Sequence, residues 1–81
     1  MKDDIKKLKD KLEVDMLRMY GSPMISGEAL QKALGYKSMD ALRQGISRQT
    51  IPVKVFEIEN RRGKYALISD IAQYLAEQSS K

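Results

Sequence analysis

Apolar residues recur at helical spacing from the start of the chain. Ile5, Leu8, Leu12, Met16, Met19 and Tyr20 stand three or four positions apart with Lys, Asp and Glu between them. That is the pattern of an amphipathic helix over residues 2–20 with one apolar stripe. Asp3 and Asp4 fall in its first turn, where carboxylates suit the positive end of the helix dipole. Gly21-Ser22-Pro23 ends it, the glycine as C-cap and the proline by forcing Ser22 into an extended conformation. Met24-Ile25 reads as a short extended lead-in.

Ser26 is a natural N-cap for a second helix, with Glu28 in its first turn and Ala29, Leu30, Ala33 and Leu34 on its buried face. Gly35 breaks this helix, and Tyr36 follows as a core or turn anchor. Ser38 caps a third helix with Asp40 in its first turn. Met39, Leu42 and Ile46 face inward there, while Arg43, Gln44, Ser47 and Arg48 point elsewhere. Gly45 in mid-helix costs ~1 kcal/mol relative to alanine. Close approach of the second helix, or of a phosphate, would account for it.

Pro52 stops the third helix by Gln49. Residues 53–58, VKVFEI, are rich in β-formers and read as a strand. Residues 59–63 form a turn, and 64–68, KYALI, read as the returning strand, a β-hairpin with Arg61 and Arg62 at its tip. A last helix starts at Ser69 or Asp70, buries Ile71, Ala72, Tyr74 and Leu75, and frays from Gln78 to Lys81. The expected fold class is mainly α with a small β-hairpin. Residues 1–21 form an added N-terminal helix that either packs on the domain or makes a dimer contact. Residues 24–78 form the domain proper.

Two short helices hinged by a glycine turn, the second studded with polar and basic groups, suggest a helix-turn-helix. The stretch from Ile25 to Glu77 also resembles the MerR-like winged helix-turn-helix modules of excisionases and small phage or plasmid regulators. The residues that carry the likeness are Ser26, Glu28-Ala29, Leu34-Gly35, Ser38, Ala41-Leu42-Arg43, Ile46 and Ile51-Pro52. They are followed by the basic run Arg61-Arg62-Gly63-Lys64 and by Asp70-Ile71-Ala72-Gln73-Tyr74-Leu75. Gln49 stands where a glycine often ends the recognition helix, and the helix over 2–20 lies outside the pattern. The resemblance implies that residues 38–48 enter the major groove of DNA and that the Arg61–Lys64 wing meets the backbone or minor groove. Related modules also occur in small terminase subunits, where they bind packaging sites.

Charge agrees with that reading. The 81 residues carry a formal net charge of +4. Over residues 2–20, six bases (Lys2, Lys6, Lys7, Lys9, Lys11, Arg18) nearly cancel five acids. Between Gln31 and Lys64, eight bases oppose only Asp40, Glu57 and Glu59, a local net of +5. Arg43 and Gln44 are the candidates for base edges, because a guanidinium can grip guanine bidentately and an amide can do the same for adenine. Arg48 and Ser47 lie near the helix end, and Lys37 and Ser38 at its start, where groups suited to a phosphate collect. Arg61, Arg62 and Lys64 supply the wing. Arg43 can instead pair with Asp40 on its own helix, and Lys64 with Glu57 or Glu59 across the hairpin.

Without cysteine or histidine, disulfides, thiolate nucleophiles and the usual zinc sites are not expected. Glu57 and Glu59 share a strand face but have no ligand cluster around them, so neither catalysis nor a cofactor is expected. No run approaches the ~18 apolar residues of a membrane span, and the charged N-terminus is not that of a secretory signal, which points to the cytoplasm. The expected partner is double-stranded DNA, bound by a homo-oligomer (a dimer or a cooperative array), with a recombinase or another protein as a further candidate partner. The expected role is transcriptional regulation or accessory work in recombination. The alternatives are a protein–protein adaptor that offers the same basic surface to an acidic partner, and the DNA-recognition subunit of a packaging complex.

Overall fold

The computed structural model of the chain describes residues 2–81, with Lys2 and Asp3 in backbone only, so the expected place of the Asp3 carboxylate lies outside the described residues. Four helices and two short strands follow in the order α1 (Lys2–Tyr20), β1 (Met24–Ser26), α2 (Gly27–Ala33), α3 (Met39–Ser47), β2 (Tyr65–Leu67) and α4 (Ile68–Ser79). The fold is mainly helical with one two-stranded antiparallel sheet.

The long amphipathic stripe forms α1 as expected. Gly21 closes it in a left-handed conformation, φ +68°, its N–H donating to the Leu17 carbonyl at 2.8 Å. The helix lies antiparallel on α4: Ile5 and Lys6 meet Gln73 and Glu77, while Lys9 feels the charge of Asp70 a turn further on. Lys9 also pairs with Glu13 at 2.8 Å, and that hydrogen bond raises the pKa of the ammonium. Met16 is the residue of α1 that reaches the core fully, with Leu12 and Tyr20 half-buried beside it. Met19, expected in the stripe, is 72% exposed.

The sheet is assembled from distant segments. Met24, Ile25 and Ser26 pair with Leu67, Ala66 and Tyr65. Ile25 and Ala66, directly opposed, are both buried. The expected strand over 53–58 does not form. Only Phe56 bridges β2, exchanging hydrogen bonds of 2.9 and 2.8 Å with Tyr65. In that register Val53 would face Ile68, which already belongs to α4. Ile51 and Val53 are instead packed on the core, drawing the segment away from the sheet.

Strand ends lead straight into helices. Ser26 is extended and precedes α2, but its hydroxyl makes no capping bond, contrary to expectation. The residue is paired with Tyr65 in the sheet, and the kink into α2 is taken by Gly27 at φ +57°. Likewise α4 starts at Ile68 rather than at Ser69 or Asp70, because the free Ile68 N–H finds the Pro23 carbonyl at 2.8 Å and needs no side-chain cap. At its far end the helix continues through Ser79 instead of fraying from Gln78. The Ser79 and Ser80 hydroxyls donate to the Ala76 carbonyl at 3.0 and 2.9 Å.

Leu30 of α2, Leu42 of α3, and Ile68 and Ile71 of α4 are the largest fully buried side chains. Each contributes about 1.5–3 kcal/mol of transfer free energy. Ala66, Ala72 and Ala76 let the elements approach around them, and no polar side chain is buried among the described residues. Tyr74, expected on the buried face of α4, is only half-buried at its margin. No helix is long and apolar enough to cross a membrane among the described residues.

Candidate nucleic-acid interface

Two matching turns set the pose of α3. At the end of α2, Gly35 is left-handed at φ +80°, with Gly35 N–H on the Lys32 carbonyl (3.1 Å) and Tyr36 N–H on that of Gln31 (3.0 Å). This is a Schellman motif, and the Gln31 amide closes it by donating to the Tyr36 carbonyl at 2.6 Å. The same motif ends α3. Gln49 N–H donates to Ile46 O (3.1 Å) and Thr50 N–H to Gly45 O (2.9 Å), with Gln49 left-handed at φ +58°. Glutamine thus adopts the conformation in which glycine is usual, and the turn keeps its geometry. Ser38 caps the start of α3 as expected, its Oγ accepting from Ala41 N–H at 3.1 Å.

Gly45 faces neither the second helix nor an incoming phosphate. A β-carbon there would lie 2.7 Å from Ile51 Cδ1 and 3.4 Å from the Tyr36 hydroxyl, so the glycine seats the chain that leaves α3. Leu42 is buried, Met39 and Ile46 half-buried, and Arg43, Gln44, Ser47 and Arg48 are exposed on the other side.

The segment expected to form a wing is a loop rather than a full hairpin. Phe56 and Tyr65 stack with ring centroids 6.3 Å apart at its base. The Glu57–Lys64 ion pair continues their register by one step. A tight turn follows, Arg61 N–H to Ile58 O at 3.0 Å, helped by left-handed Asn60 and Gly63. The Tyr65 hydroxyl donates to the Arg62 carbonyl at 3.4 Å, and both arginine side chains are exposed.

The end of α3 and the base of this loop face one groove. Ile46 and Gln49 from the first, Val55 and Lys64 from the second, and Ile51 and Val53 between them line one groove of about 380 Å³. Lys37 and Ser38 stand at the opposite end of α3, about 15 Å away by the helical rise.

Three of the basic residues between Gln31 and Lys64 are matched internally. Lys32 pairs with Glu28 at 3.0 Å, Arg43 with Asp40 at 3.1 Å, and Lys64 with Glu57. The hydrogen bond from Lys64, reinforced by its charge, holds the Glu57 carboxyl below its ordinary pKa. All of these pairs are substantially exposed and contribute little to stability. Lys37, Arg48, Lys54, Arg61 and Arg62 are exposed, with no carboxylate within ion-pair distance among the described residues. Lys54 is the cation not singled out beforehand as a site residue. Alternation gave no clear signal for it, since Lys54 shares a strand face with Phe56 and Ile58 and lies opposite Val53 and Val55. No cluster of three carboxylates suited to a metal ion occurs among the described residues. Comparison with protein-family models, with curated proteins and with solved structures finds no match for this chain.

Proposed function

We propose that the chain is a winged helix-turn-helix module that binds duplex DNA without catalysis of its own. In this reading α2 and α3 are the two helices of the motif. The exposed face of α3 enters the major groove, and Arg61, Arg62 and Lys64 follow the backbone or the adjacent minor groove. The observation that carries it is the groove shared by Gln49 and Lys64, which sets the C-terminal end of α3 beside the base of the wing. The turns at both ends of α3 and the contact at Gly45 set its pose, so its polar face is presented as a unit. One such module makes few contacts, so two or more copies act together, as a dimer on paired half-sites or side by side on the DNA. The biological role is a cytoplasmic transcriptional regulator or a recombination accessory factor of the excisionase kind.

Paired substitutions test the assignment of the surface. Replacing Arg43 and Gln44 by alanine relaxes sequence preference, whereas replacing Arg61 and Arg62 lowers affinity evenly across sequences. If both double variants bind DNA as the parent does, the interface lies elsewhere.

A further inference from the structure

Asp40 is the sole acid between Glu28 and Glu57, a stretch that holds five bases. It is highly exposed, on the first turn of the helix that the proposed function places against DNA. A carboxylate there opposes phosphate binding, and Ser38 rather than Asp40 caps the helix. Among the described residues it pairs with Arg43, whose Nη1 donates to Asp40 Oδ1 at 3.1 Å. That bond leaves the Nη2 and Nε donors of the guanidinium free, a fork that matches O6 and N7 of guanine.

We propose that Asp40 is a positioning residue that sets Arg43 to read guanine and keeps it off the phosphates. The inference rests on the DNA-binding reading. A free arginine on an exposed helix face turns readily to the nearest phosphate, which strengthens binding to every sequence alike. Tying one of its nitrogens to a carboxylate on the same helix fixes the guanidinium plane, and the negative charge repels the sugar-phosphate chain. The pair therefore exchanges general affinity for discrimination.

The test uses the full chain and a preferred duplex selected from a randomised pool with the unaltered protein. Affinity is then measured for that duplex, for its variant lacking the guanine, and for random duplex, with Asp40→Ala, Asp40→Asn, Arg43→Ala and the double variant. Asp40→Ala is expected to tighten binding to random duplex and to steepen its salt dependence by about one phosphate. It is also expected to lower the preference for the guanine about fivefold, a fraction of what a bidentate contact supplies. Asp40→Asn, whose amide oxygen still accepts from Arg43, restores part of that preference. In the Arg43→Ala background Asp40→Ala leaves the preference unchanged. Thermal unfolding separates this role from a structural one, since the exposed pair leaves the midpoint nearly unmoved. If the unaltered protein binds DNA but Asp40→Ala keeps the guanine preference, the positioning role is overturned and the DNA reading stands. If the unaltered protein binds no duplex at low salt, both fall.

Discussion

Gly45 lies so close beneath Ile51 that a β-carbon on it would stand 2.7 Å from the Ile51 δ-methyl. The contact locks the segment leaving α3 back onto the helix, and it makes a glycine useful where propensity argues against one. The two residues should therefore be coupled. Gly45→Ala in the parent gains helix propensity but displaces the methyl, and the effects nearly cancel. In an Ile51→Val background, which lacks that methyl, the same substitution should stabilise by about 1 kcal/mol. Urea unfolding of the four proteins measures the coupling, and an additive result would show that the contact is not tight.

Gln49 at φ +58° holds a conformation costly for a residue with a β-carbon. Gln49→Gly should raise stability by up to ~1 kcal/mol, and Gln49→Val should lower it by at least as much. A shift of the thermal midpoint downward for the glycine variant would contradict the turn described for the end of α3.

Two methionines of α1 make a controlled pair. Met16→Ala removes a buried side chain and should cost about 2–4 kcal/mol. Met19→Ala, at a position 72% exposed, should change stability by less than about 0.5 kcal/mol. Equal losses at the two positions would mean that α1 packs in another rotation.

The Glu57–Lys64 pair gives a pH prediction. Lys64 depresses the Glu57 pKa below its ordinary 4.5. A depressed carboxyl stabilises the folded chain above its unfolded pKa, and the contribution is lost as pH falls through the lower folded value. Lys64→Met should return Glu57 to its ordinary titration without disturbing the Phe56–Tyr65 bridge. A carboxyl-detected NMR titration of Glu57 in both proteins checks this, and an unchanged pKa in the variant would refute the pairing.

Local chemistry made much of this fold legible. The extent of α1, the stop at Gly21, the turn at Gly35 and the cap at Ser38 each follow from a few adjacent residues, and each is found. The expectations that failed depended on distant partners. VKVFEI has the composition of a strand, yet β2 takes Met24–Ser26 as its neighbour across about 40 residues of chain, and pattern alone does not choose between the two. Ser26 has the chemistry of a cap but is held by the sheet. The start of α4 is set by the Pro23 carbonyl, which no local rule supplies. In the candidate interface, the pairings of Arg43 and Lys64 were among the readings of the charge pattern. The groove that Gln49 and Lys64 share was not, because it depends on how the segment after Pro52 folds back.

Titration of fluorescent duplex DNA, random and A·T-rich, at several salt concentrations tests the central claim most directly. Lys37, Arg48, Lys54, Arg61 and Arg62 are the cations of the candidate surface with no ion pair among the described residues. If most of them do so, the logarithm of the affinity should fall against the logarithm of salt with a slope of about −4. Absence of binding at low salt, or binding indifferent to salt, would contradict a phosphate-facing surface and with it the DNA-binding account.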